Sequence, residues 1–235
     1  MSKLVALVGV LLLLGASAQV GFAYPFGGEM AGNDNRTGDS IGGGSVKKGK
    51  VRTPERVAEL SFQRGVRARD EALEAEKKLA ASQPGFWHDR YAAAVEKNWA
   101  KAIDRYQQAV AAKPDFFEAY SDLGYAYRKT GDYQRALAAY DRALQINPEY
   151  PNALEYLGET YLKLTRLDDA KSTYMKLFGV DREQAAVLMN AMNEWLETQP
   201  TAGDSADVDA FRQWVSERKQ LAEQVGGSAA HARAW

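Results

Sequence analysis

Cysteine is absent from this 235-residue chain, histidine occurs twice, and neither charge sign is in excess, with 30 Lys and Arg against 31 Asp and Glu. Without cysteine there is no thiol nucleophile, no disulfide framework and no lipid-modified N-terminal Cys. The lack of cysteine does not argue for the cytoplasm, because an exported helical domain needs no disulfides when its core is adequate. His88 stands alone at a helix start and His231 lies near the chain end, so no His or Cys spacing resembles a zinc site. No serine sits in a nucleophile elbow. Gly42-Gly43-Gly44 is not followed by the lysine and helix of a phosphate loop. Asp168-Asp169 and the acids Asp204, Asp207 and Asp209 fall at helix starts, where the helix dipole favours them without a metal. Balanced charge leaves no basic footprint for nucleic acid. Catalytic residues, a metal, a cofactor and a small-molecule substrate site are therefore not expected.

Long apolar runs are confined to the first 23 residues. Lys3 precedes the run Leu4 to Leu14, and Ala16-Ser17-Ala18 fits the small-x-small rule of signal peptidase. Residues 1–23 thus read as a signal peptide cut before Gln19, or after Ala23 as a second site. The alternative is an uncleaved anchor, since Leu4 to Ala23 is long enough to span a bilayer. Either reading predicts export to a periplasmic or extracellular space, with membrane contact only if the segment is kept. Residues 24–52, rich in Gly, Asn, Asp and Ser and ending near Lys47, Lys48 and Lys50, read as a flexible linker.

What the rest of the chain has in quantity is a repeat. Gly124 recurs as Gly158, 34 residues on. In the same phase Leu123 recurs as Leu157, Tyr127 as Tyr161, Ala136 as Ala170 and Tyr140 as Tyr174. One interval earlier, Ala136, Tyr140, Ala143 and Pro148 become Ala102, Tyr106, Ala109 and Pro114. Tyr120, Leu123 and Tyr127 are three and four apart and share one helix face. Gly124, Ala136 and Ala143 are small, letting two helices approach closely. Gly131 ends the first helix of the pair and Pro148 stops the second.

The flanks are helical too. Thr53-Pro54-Glu55 starts a helix that runs to about Ser82, with an apolar stripe of Val57, Leu60, Val66, Ala68, Leu73 and Leu79. A second long helix follows from about Asp89 to Ala112, making an elongated hairpin, 53–116. The units 117–150 and 151–184 come next. In the latter, Thr165 replaces the turn glycine, Leu177 the third small residue, and the closing proline is missing. A helix pair within 181–225 completes the domain, either as a capping hairpin or as a degenerate third repeat. It ends at Gly226-Gly227, and residues 226–235 are expected to be disordered.

The pattern Tyr120, Leu123, Gly124, Tyr127, Ala136, Tyr140, Ala143, Pro148 resembles the tetratricopeptide repeat (TPR). The resemblance covers about residues 98–178 and implies an all-α, right-handed superhelical array of antiparallel helical hairpins. It also implies a concave groove, lined by the first helix of each unit, that binds a partner peptide or helix. Carried over by position, that groove offers Glu118, Ser121, Tyr125, Arg128 and Lys129, then Asn152, Glu155, Glu159, Leu162 and Lys163. Ser121 and Tyr125 stand where the cochaperone subfamily has the residues of its carboxylate clamp, so a C-terminal chaperone tail is not the expected ligand. The expected function is an exported, non-catalytic interaction scaffold. The alternative is a self-associating or envelope-assembly subunit that makes contacts through the long N-terminal hairpin.

Overall fold

The computed structural model describes residues 53–199 and 205–232. The predicted leader, linker, most of the loop after Gln199 and the last three residues lie outside them. Eight helices follow one another among the described residues: α1 (Pro54–Ala81), α2 (Phe86–Ala112), α3 (Phe117–Lys129), α4 (Tyr133–Ile146), α5 (Pro151–Lys163), α6 (Leu167–Val180), α7 (Arg182–Glu197) and α8 (Ala206–Ala232). They pair as antiparallel hairpins, and α3, α5 and α7 pack in succession.

Thr53 caps α1 by accepting the Arg56 N–H, and Asp132 and Asp181 cap α4 and α7 in the same way. Between α3 and α4, Gly131 takes the left-handed conformation (φ 81°). There the Asp132 N–H reaches back to the Tyr127 carbonyl at 2.9 Å. Thr165 repeats this turn at φ 57°, with the Arg166 N–H on the Tyr161 carbonyl at 2.9 Å. A β-branched residue there is strained by about 1–2 kcal/mol. Thr165→Gly is therefore expected to raise stability by about 0.5–1 kcal/mol, net of the chain entropy that glycine adds to the unfolded state. An unchanged or lower thermal midpoint would contradict this.

Hairpin α1–α2 departs from the predicted stripe. The buried face of α1 is Ala58, Ser61, Gly65, Ala68, Ala72 and Ala75, and Val57 is exposed. Small residues every three or four positions let α1 lie close beneath the large side chains Trp99 and Tyr106 of α2, both fully buried. A Cβ at Gly65 would lie 2.6 Å from the Tyr106 ring, as one at Gly124 would lie 2.6 Å from the Tyr140 ring. The first hairpin thus uses the same glycine–tyrosine contact as the second. The glycine sits far upstream on α1, not near Asp89 and Arg90, because both helices are lengthened at the connecting end.

Two further differences concern the C-terminal part. The contact at Gly158 is made by Leu188 of α7, not by Tyr174, whose ring meets Trp214 of α8 edge-on at 5.5 Å. Helix α8 also runs through Gly226-Gly227 to Ala232, where the sequence predicts an end at Val225. A glycine pair weakens a helix by about 1 kcal/mol per residue but keeps its hydrogen bonds, and the alanines that follow favour continuation. α2 starts at Phe86 instead of Asp89 because Gly85 (φ 141°) supplies the break.

Candidate functional site: the face of the first helices

Helices α1, α3, α5 and α7 are joined side by side through a series of polar links. Arg69 of α1 holds Asp122 of α3 at 3.2 Å. Glu76 of α1 takes Lys129 of α3 at 2.6 Å and accepts the Trp99 indole N–H at 2.8 Å. Arg128 of α3 pairs with Glu159 of α5 at 2.6 Å, both largely shielded from solvent. Gln184 of α7 donates to the Asn152 side chain of α5 at 2.7 Å, and Asn152 in turn donates to the Tyr150 hydroxyl.

An aromatic ladder runs across the same face. Trp99 meets Tyr125 at 5.8 Å, Tyr125 meets Tyr156 at 4.9 Å, and Tyr156 meets Tyr140 at 6.3 Å. The Arg128 guanidinium lies over Tyr125 (5.1 Å) and Tyr156 (5.8 Å), and Lys129 lies over Trp99 (5.8 Å). These contacts fix the ring orientations, since each cation is held by a carboxylate on one side and a π face on the other. Past the ladder, a pocket of about 340 Å³ opens among Arg128, Glu159, Leu162 and Lys163, with Glu194 and Trp195 of α7 on its far side.

Burial governs the electrostatics. It pushes the Asp122 carboxyl up, against the pull of Arg69. The Glu155 carboxyl is pushed up to about 7, by burial first and then by Glu159 and Asp181, with Arg128 opposing.

Of the ten residues predicted from position, Tyr125, Arg128, Lys129, Asn152 and Glu159 are brought together in these links. Glu118 and Glu155 are half-buried on the same helices, and Lys163 is exposed at the pocket rim. Ser121 is fully buried and Leu162 is 3% exposed within the second core, so neither presents a side chain to a partner. Their positions are covered because α5 and α7 pack closely onto the preceding helices. Arg69, Glu76 and Trp99 are missing from the sequence prediction, because the elongated hairpin has no recognisable first-helix repeat to place them. Gln184 and Trp195 are missing because α7 carries no conspicuous Leu-Gly pair. Trp195, 34 residues beyond Tyr161 as Tyr161 is beyond Tyr127, is the signal that could have found them.

Among the described residues no group of three or more His, Asp or Glu is placed to hold a metal ion. No described helix is long and apolar enough to cross a membrane. Elsewhere, the turn between α1 and α2 exposes Phe86 and Trp87 beside a pocket of about 570 Å³.

Family models for the TPR repeat match residues 96–131 and 124–164, and a tetratricopeptide repeat model matches 153–184. No curated protein was found to match the chain. Among solved structures, it is similar to an Arabidopsis OM64 TPR domain at 15% identity, covering 60% of this chain and 98% of that one with a TM-score of 0.46. It is also similar to the first TPR domain of human RPAP3 (16% identity, 62% and 99% covered, TM-score 0.45). A further similar structure is the first TPR of Spaghetti (RPAP3) bound to HSP90 peptide SRMEEVD (17% identity, 57% and 94% covered, TM-score 0.40). Residues 96–184 of the all-helical domain are thus tetratricopeptide repeats, flanked by an elongated first hairpin and by α7 and α8.

Proposed function

We propose that this chain is an exported, non-catalytic scaffold that holds an extended segment of a partner protein along the α1–α3–α5–α7 face. The observation that carries the reading is the Trp99–Tyr125–Tyr156 ladder. It is a partly exposed aromatic surface whose rings are pre-set by ion pairs between consecutive helices. A surface whose side chains are already immobilised loses little conformational entropy on binding, and aromatic anchors of this kind dominate peptide recognition. Export rests on the apolar run and the Ala16-Ser17-Ala18 motif.

A second reading is favoured by one observation: Phe86 and Trp87 are 69% and 60% exposed at the tip of the long hairpin. That tip would make the main contact if the chain were an assembly subunit. Photocrosslinking in cells from position 125, compared with position 87, separates the two. A discrete partner adduct from position 125 alone is expected. Adducts from position 87 alone, or adducts only between copies of this chain, would replace the groove reading with the hairpin reading.

A further inference from the structure

We propose that the groove selects a lysine or arginine side chain on an extended partner peptide and seats it at Glu155, beside Tyr156 and the Asn152–Gln184 pair. The proposal rests on the groove reading above and specifies the chemistry of its partner. It follows from which charges on this face are already committed.

The cations along the helix links are internally committed. Arg69 is shared between Asp122 and Asp70, Lys129 is held by Glu76, and Arg128 is held by Glu159. None of the three is free to receive a partner's carboxylate without breaking an interhelix pair. Lys163, at the outer rim, lines the pocket together with Glu159 and Glu194.

What is left over on the face is hydrogen-bond acceptors. The Glu155 carboxylate makes no hydrogen bond or ion pair with any described residue. The Gln184 Oε1 is enclosed and has no donor. Its amide Nε2 is spent on Asn152, one helical turn before Glu155 on α5. A buried acceptor without a donor is costly, and a guanidinium or ammonium group has donors only. The charged groups facing Glu155 are Glu159 from its own helix, Asp181 at the junction of α6 and α7, and Arg128 from α3. Asp181 already accepts the Glu183 and Gln184 N–H groups, and Arg128 already serves Glu159. The balance at Glu155 is therefore one cation short. The neighbouring tyrosines complete the site, since Arg128 already shows that their π faces accept a guanidinium here.

The proton balance gives the proposal a signature. With its carboxyl pushed up to about 7, Glu155 is about half protonated at neutral pH. An arriving cation favours the ionised form, so binding releases about half a proton at pH 7. Affinity should rise from about pH 6 to about pH 8 and then level off.

The test is selection of random heptapeptides displayed on phage against the immobilised protein, followed by titration calorimetry of the enriched sequences. Enrichment of Lys or Arg over Asp and Glu is expected, with binding about tenfold weaker in Glu155→Gln and its pH dependence abolished there. Glu155→Asp, which keeps the charge, should retain the preference, and circular dichroism checks that each variant is folded. Peptides that depend on Tyr125 but are acidic or uncharged would overturn this proposal and leave the groove reading standing. Failure to enrich any peptide that Tyr125→Ala weakens would remove both.

Discussion

Replacing Tyr140 with alanine is expected to cost about 3–5 kcal/mol and to loosen the central repeat. Tyr140 has no solvent exposure, and its ring lies directly against Gly124 and beneath Tyr156. The cavity left by truncation is walled by two helix backbones that cannot collapse, so most of the transfer and packing energy is lost. The coupling to Gly124 sharpens the expectation. Gly124→Ala alone is destabilising, because the new Cβ would sit 2.6 Å from ring carbons of Tyr140. In the Tyr140→Ala background that methyl group has room, and the two changes together should cost less than their sum. Chemical denaturation of the four proteins forms the double-mutant cycle. Strict additivity would mean that the small residue and the ring are not in the contact described.

Arg128→Ala is expected to destabilise the domain by about 2–3 kcal/mol. The guanidinium is 14% exposed and its partner Glu159 22%, so removal leaves a shielded carboxylate without its cation next to Glu155, itself already short of one. The loss should grow with pH. Arg128 is the one cation opposing the upward displacement of Glu155, and without it both carboxylates repel when ionised. A group whose value is raised on folding destabilises the native state once it ionises, so the variant should be closest to the parent near pH 5. It should fall progressively behind as pH rises past about 7. Replacing Arg128 and Glu159 together by methionine should recover most of the loss, because no charge is then stranded. Thermal melts across pH read both effects. A pH-independent loss in Arg128→Ala would show that the side chain contributes by packing alone.

These two predictions draw on different kinds of information. The glycine–tyrosine contact of the central hairpin was legible in the residues, because it is local. Gly124 and Tyr140 lie on successive helices joined by a three-residue turn, and their types recur at 34-residue intervals alongside Leu123, Tyr127 and Ala136. Side-chain volume and helical periodicity are enough to bring such positions together, so the hairpins and the array they build follow from the pattern. The same reasoning placed Tyr125, Arg128 and Glu159 on one helix face.

The charge balance of that face was not legible, because it depends on registers between helices that no pattern specifies. Arg69–Asp122 and Lys129–Glu76 each join residues 53 apart, across a first hairpin whose added length hides its glycine–tyrosine contact. Burial of Ser121 and Leu162 likewise depends on how tightly the next helix packs, and α7 packs against Gly158 with Leu188 where the repeat pattern predicts Tyr174. Residue types and periodicity therefore determined that this chain is an array of helical hairpins with a polar, aromatic face. Long-range packing decided which charges on that face are already spent and left Glu155 without a cation, because pairing and desolvation depend on distances that only the assembled helices set.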